Sequence, residues 1–148
     1  MAIWQYYLLL VGKADPQPRH ADTGWEPPQL PAASTLNAQS ILASVLGDLW
    51  LMMDDWVVFG NEERTRIDLM FDETDEVEIR VRLGALATEA ELDAVCGFTR
   101  EVEGILFDPA TGALLPTDRS ALASALASSR AAAFSVSPRS VLPGRSEA

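Results

Sequence analysis

The chain has little of the chemistry on which most enzyme active sites depend. Its 148 residues include one cysteine, Cys96, and one histidine, His20. A single cysteine excludes an intramolecular disulfide and any multi-cysteine zinc site, and a single histidine excludes sites built on paired imidazoles. Cys96 also lies on the apolar face of a predicted helix, where thiols are usually inert. We therefore predict a protein that is not an enzyme and has no cofactor and no metal site.

Long apolar runs and clusters of basic residues are also missing. No stretch approaches the roughly 18 apolar residues that a membrane span needs, and the N-terminus lacks the basic region of a signal peptide. Eleven basic residues face twenty-two acidic ones, which gives a net charge of −11. Nucleic acid and anionic lipid are bound by clustered lysine and arginine. We therefore expect a cytoplasmic protein that binds neither nucleic acid nor membrane.

The acidic residues are concentrated in the middle of the chain. Residues 48–103 contain sixteen acidic and five basic residues, whereas residues 119–148 contain four arginines and one glutamate. A negative surface of this size speeds the encounter with a basic protein, although acidity can also serve solubility alone. We expect a basic protein as the partner, and homo-oligomerisation stays open.

The first third of the chain predicts one strand and one helix, separated by an irregular segment. The apolar run 3–11 fits a strand that is covered on both faces, and five prolines in 13–35 argue against regular structure there. Helical spacing then predicts a first helix that is capped by Ser34 or Thr35 and ends shortly before Met53. The apolar stripe of this helix consists of Leu42, Val45, Leu46, Leu49, Trp50 and Met53.

The rest of the chain gives clearer local signals. Period-two alternation on both sides of Glu73-Thr74-Asp75 predicts a β-hairpin with one buried face and one wet face that carries cross-strand ion pairs. Thr88-Glu89-Ala90-Glu91 is a capping-box sequence that predicts the start of a second helix. Short strands at 105–107 and 114–116 follow, and Asp118 caps a third helix predicted over 119–134.

The predicted order is strand, helix, strand, strand, helix, strand, helix. It resembles the split β-α-β pattern of ferredoxin-like α+β sandwiches, with one extra C-terminal helix. The resemblance implies an α+β fold in which helices cover one face of an antiparallel sheet. We expect a single domain over 1–137 and a loosely ordered tail over 138–148. Many unrelated functions use this fold, so it does not indicate an activity.

Tryptophans beside carboxylates are the most specific indication of function. Trp25 lies in the proline-rich segment, and Trp56 directly follows Asp54-Asp55. Such neighbours are typical of interface hot spots that meet a basic partner. The acidic run 72–76 lacks the glycine of a calcium-binding loop, so a solvated turn is predicted there. The candidate partner-binding residues are Trp25, Asp54, Asp55, Trp56, Asp72, Glu73, Asp75 and Glu76.

The small size, the acidity and the absence of catalytic groups resemble bacterial immunity proteins, which bind and neutralise a cognate toxin. The resemblance implies that the acidic surface covers a basic active-site cleft, with Trp25 or Trp56 as an anchor. Two alternatives stay open. One is a small-molecule-binding or regulatory domain with a pocket under residues 13–35, where His20 and Trp25 would contact the ligand. The other is an enzyme that uses Cys96.

Overall fold

A computed structural model describes residues 5–14, 19–21, 24–26 and 29–129, of which 19–21 and 24–26 are described as backbone only. Within these residues the chain forms an α+β fold with an eight-stranded sheet, a two-stranded ribbon and three α-helices. The strands are β1 (Gln5–Gly12), β2 (Arg19–Ala21), β3 (Gly24–Glu26), β4 (Leu30–Pro31), β5 (Trp50–Met53), β6 (Trp56–Gly60), β7 (Arg66–Phe71), β8 (Glu76–Gly84), β9 (Gly104–Asp108) and β10 (Ala113–Leu115). The helices are α1 (Gln39–Leu46), α2 (Glu89–Glu101) and α3 (Arg119–Ala127), and a short 3-10 turn spans Ala32–Thr35.

The strands of the main sheet are antiparallel and follow the order β10-β9-β1-β8-β7-β6-β5, with β4 paired to the start of β8. The four strands β5 to β8 form a meander, so successive turns alternate between the two ends of the sheet. The β5–β6 turn and the β7–β8 turn therefore lie at the same end. The sheet is larger than the ferredoxin-like order predicted, because the β5–β6 hairpin and β10 extend it on both sides.

The helices pack on one face of this sheet and enclose the main core. Alternate side chains of β1, β7 and β8 meet the apolar sides of all three helices in a single cluster. Burying one large apolar side chain contributes about 1.5–3 kcal/mol, so this cluster dominates the stability of the fold. Among its fully buried members are Leu8, Phe59, Ile79, Phe98 and Leu122.

Local signals set the ends of α2 and α3. The Thr88 hydroxyl accepts from the Glu91 amide at 3.1 Å, and the Glu91 carboxylate accepts from the Thr88 amide at 2.7 Å, which confirms the predicted capping box. Asp118 caps α3 by accepting from the Ala121 amide at 2.9 Å. The end of the predicted third helix and the predicted tail over 138–148 lie outside the described residues.

The prediction of the first helix is wrong at both ends. Ser34 and Thr35 lie in the 3-10 turn and do not cap the helix, which begins at Gln39 after Ala38 and has no side-chain cap. α1 ends at Leu46, and Gly47 follows with a φ of +90°, a conformation that glycine adopts far more readily than other residues. Trp50–Met53 then form β5 instead of a last helical turn. A short continuous apolar run suits either a helix or a strand, and here the glycine decides between them.

The segment 13–35 also has more regular structure than its prolines predicted. β2 and β3 pair as an antiparallel ribbon that sets the backbone of His20 opposite that of Trp25. β4 adds Leu30–Pro31 beside the start of β8, where a proline is tolerated because the added strand is short and lies at an edge.

Among the described residues, no helix is both long enough and apolar enough to cross a membrane.

Candidate functional site

Two acidic turns lie side by side at one end of the sheet. Asp54 and Asp55 connect β5 to β6, and the turn within 72–76 connects β7 to β8. The Phe71 amide donates to the Asp55 carbonyl at 2.9 Å, which ties the first turn to the strand that leads into the second. We call the six carboxylates of these turns the acidic end: Asp54, Asp55, Asp72, Glu73, Asp75 and Glu76.

The protein's own described cations do not neutralise the acidic end. Glu76 is half-buried, and the other five residues are exposed. Every ion pair among the described residues involves a carboxylate elsewhere, at Glu62, Asp68, Glu78, Glu89 or Asp93. The resulting negative potential reaches about 8 Å into solvent at physiological ionic strength. The acidic end can therefore attract a cationic surface before contact is made.

Hydrogen bonds fix the shape and the charge of the β7–β8 turn. Asp72 Oδ1 accepts from the Thr74 hydroxyl at 2.7 Å, the Thr74 amide at 2.8 Å and the Glu76 amide at 3.1 Å. These bonds, the one from the Thr74 side chain first, lower the pKa of Asp72, so its charge persists to lower pH. Within the described part of the chain, no three carboxylate, histidine or cysteine groups are placed to hold a metal ion.

Two tryptophans lie over a buried ion pair on the sheet face opposite the helices. Arg66 and Asp68 form a bidentate pair with N–O distances of 2.7 and 3.0 Å, and their side chains are 3% and 0% exposed. Trp56 Nε1 donates to Asp68 Oδ2 at 2.9 Å. Trp50 Nε1 donates to the Gly60 carbonyl at 2.8 Å, and its ring centroid is 5.4 Å from Arg66 Cζ. Both indoles are thus held in defined positions.

This ion pair corrects the prediction of a wet face with cross-strand pairs. The register does set Asp68 opposite Arg80. However, Arg66 pairs with Asp68 along one strand, and Arg80 Nε pairs with Glu78 at 2.9 Å along the next. The alternation of polar residues gave the correct strands but the wrong environment, because the Arg66–Asp68 pair is buried.

β5 is the outermost strand on one side of the sheet, and all four of its side chains are exposed. The exposed fractions are 39% for Trp50, 56% for Leu51, 41% for Met52 and 65% for Met53. This surface was not predicted from the sequence, because the helical spacing assigned these residues to a helix with Trp50 in the core. The available signal was an unbroken apolar run that ends directly at two aspartates.

A cleft of about 260 Å³ lies between α1, the β6–β7 loop and the start of α2, with Arg64 and Thr65 in its lining. None of its lining residues belongs to 13–35, so it is not the pocket expected for a small-molecule-binding domain. The side chains of His20 and Trp25 lie outside the described residues. The ligand pocket and the role of Trp25 therefore stay predictions.

Cys96 is buried in the core on α2. Burial raises the pKa of its thiol, so little thiolate forms near neutral pH. We expect the folded protein to react with Ellman's reagent at pH 8 at least about a hundred-fold more slowly than the protein unfolded in guanidinium chloride. Absorbance at the thionitrobenzoate band measures both rates. Equal rates would contradict an inert thiol and would favour the hypothesis of an enzyme that uses Cys96.

Comparison of the chain with protein-family models, curated proteins and solved structures gives no match.

Proposed function

We propose that the chain is a binding protein that uses the acidic end to cover a basic surface of a partner protein. The observation that carries this proposal is the position of two turns side by side, although β6 and β7 separate them in sequence, with carboxylates that have no cationic partner among the described residues. Collecting like charges at one end of a sheet opposes folding. The same charges raise the rate of encounter with a cationic partner by about 10–10³-fold.

In its most specific form, the proposal is an immunity protein that neutralises a toxin by occluding a basic active-site cleft. Trp56 directly follows the acidic turn, and its bond to Asp68 holds the indole in place. An anchor that is already ordered loses little conformational entropy on binding. Trp25 is the second proposed anchor.

The order of the strands supports a ferredoxin-like core within this proposal. β8 lies between β1 and β7, and α1 and α2 pack on the same face, as in a split β-α-β arrangement. The β5–β6 hairpin and β10 would then be additions at the two sides of the sheet. Since that hairpin supplies Asp54 and Asp55, the addition also enlarges the proposed binding surface.

The proposal predicts that neutralising the acidic end slows association with the partner. The charge variant carries Asp54→Asn, Asp55→Asn and Glu73→Gln, three exposed positions that make no ion pair among the described residues. A basic protein captured from the source organism by the wild-type chain should associate about ten-fold more slowly with this variant, because electrostatic steering is reduced. Surface plasmon resonance at two or more salt concentrations measures the rates and their salt dependence.

The control variant removes the same charge from exposed residues in the β6–β7 loop and on α2. It carries Glu63→Gln, Glu89→Gln and Asp93→Asn, and the last two changes also remove the exposed ion pairs of Arg119, which contribute about 0–1 kcal/mol each. We expect this variant to retain most of the wild-type association rate, because its substitutions lie away from the acidic end. Equal slowing by both variants would mean that net charge alone steers the partner, and it would overturn the assignment of the acidic end.

A further inference from the structure

The β5 edge, defined as Trp50–Met53, has the features of an unfinished sheet. β5 pairs with β6 on one side, and on its other side no described strand pairs with it. On that side, the backbone donors and acceptors of β5 have no strand partner among the described residues, so they can pair with a further strand. Proteins usually protect such edges with charged side chains, prolines or a covering segment. The β5 edge instead presents four consecutive exposed apolar side chains.

The opposite edge of the sheet, β10, is protected against the addition of a further strand. β10 has only three residues, and Pro116 follows directly and has no amide proton to donate. β5 does have one protective feature, a register irregularity between Leu51 and Met53. Such a bulge limits the length of strand that can be added and fixes its register. A short added strand would therefore depend on side-chain contacts as well as on backbone hydrogen bonds.

The charges around the β5 edge indicate the chemistry of what it binds. Exposed Asp48 precedes β5, exposed Asp54 and Asp55 follow it, and no lysine or arginine occurs between Arg19 and Arg64. The edge is thus an apolar strip with negative charge at both ends. A complementary segment has apolar side chains in its centre and lysine or arginine at both of its ends.

The same charges argue against a second copy of the chain at this edge. Antiparallel pairing of β5 with itself would bring Asp48 of each copy close to Asp55 of the other. Like charges directly opposite each other across a strand pair are destabilising. The two chains, each with a net charge of −11, would also repel each other.

We infer that the β5 edge binds an extended segment of the basic partner as an added β-strand, with Trp50 and Met53 as contacts on the face opposite the helices. This inference rests on the proposed function and adds to it the mode of recognition. Trp50 is suited to this role because its bond to Gly60 and its stacking over Arg66 already fix the ring. The acidic end attracts the partner, and the β5 edge pairs with its backbone.

Synthetic peptides test the inference without the natural partner. The first probe is an acetylated and amidated peptide of sequence KKVTVLVTVKK, and calorimetry measures its binding to the intact chain. The second probe has the same side chains, with methyl groups on the backbone nitrogens of its five central residues. The third has glutamate in place of every lysine. We expect the first peptide to bind and the other two to bind at least about ten-fold more weakly, because they lose backbone hydrogen bonds or charge complementarity.

A matched pair of variants locates the binding site. Leu51→Ser with Met53→Ser makes the β5 edge polar without changing its charge. This variant should bind the first peptide about ten-fold more weakly or worse. Leu36→Ser with Leu86→Ser makes the same change at two exposed leucines outside β5 and should have no effect. The inference is overturned if the first peptide shows a Kd above about 1 mM, if methylation has no effect, or if both variants bind equally well.

Two further outcomes separate this inference from the proposed function. If the natural partner is slowed by the charge variant but binds the Leu51→Ser, Met53→Ser variant normally, the acidic end stands and the β5 edge is overturned. If sedimentation shows a wild-type dimer that the Leu51→Ser, Met53→Ser variant dissociates, a second copy occupies the edge and the inferred partner is wrong. Slower association of the partner with the charge variant and weaker binding to the Leu51→Ser, Met53→Ser variant, with a monomeric wild type, support the two together.

Discussion

The Asp68→Ala variant is expected to lose about 3–5 kcal/mol of unfolding free energy, because the buried Arg66 guanidinium loses its buried, bidentate carboxylate and keeps only the 3.3 Å pair with Glu62, whose side chain is 64% exposed. Trp56 loses the acceptor for its indole N–H at the same time. Domains of this size have unfolding free energies of about 5–15 kcal/mol, so the loss is a large fraction of the total. It corresponds to a fall in Tm of roughly 10 °C. Urea unfolding followed by circular dichroism measures the change.

A double-mutant cycle distinguishes a lost pair from a simple loss of packing. Arg66→Met alone leaves Asp68 as a buried, unpaired charge and should be about as destabilising as Asp68→Ala. Combining Arg66→Met with Asp68→Ala removes both charges and should cost much less than the sum of the single changes. The remaining cost, about 1–3 kcal/mol, comes from the unsatisfied Trp56 indole. Additive single and double changes would contradict the proposed energetic coupling.

This ion pair could not be predicted from the sequence, and the reason is physical. Arg66 and Asp68 alternate with apolar residues, which is the pattern of a strand with one solvated face. Their burial depends on Trp50 and Trp56, which the register of β5 and β6 brings onto the same face. That register is a property of the whole meander, and no local spacing encodes it.

Features with a local cause were predicted well. The β7–β8 hairpin, the Thr88 capping box and the Asp118 cap each depend on residues within a few positions of one another. The predicted boundary between α1 and β5 was wrong, because the apolar residues on both sides of Gly47 were assigned to one helix. A predicted helix that includes Trp50–Met53 leaves no exposed edge strand there. It also places Asp54-Asp55 at the end of a helix instead of in a turn.

The residues of the acidic end could be predicted from the sequence, but their grouping at one end of the sheet could not. The carboxylates could be selected from their density and from the neighbouring Trp56. Their position beside one another depends on the number of strands between the two turns, because an antiparallel meander returns to the same end after every second strand. The grouping of the six residues at one end is therefore a consequence of β6 and β7, which lie between the two turns in sequence.

Gly60→Ala is expected to cost about 2–5 kcal/mol of unfolding free energy, because backbone strain and a steric clash add together. Gly60 has a φ of +80°, which disfavours any residue with a Cβ. A Cβ at this position would also lie 2.0 Å from the Thr65 carbonyl oxygen, a backbone atom that accepts a hydrogen bond from the Asn61 amide. The clash can be relieved only by moving the β6–β7 loop.

Gly112→Ala is the control that separates backbone strain from the steric clash. Gly112 has a similar φ of +75°, but nothing lies within 4 Å of a Cβ there, so its substitution should cost only about 1–2 kcal/mol. The difference in urea midpoint between the two variants measures the clash. Because the Gly60 carbonyl accepts from the Trp50 indole, moving this loop should also release Trp50. Gly60→Ala should therefore lower the affinity for the KKVTVLVTVKK peptide under conditions where the variant is still folded, whereas Gly112→Ala should leave the affinity unchanged. Equal affinities of the two variants would show that peptide binding does not require the Trp50 ring to be held in place.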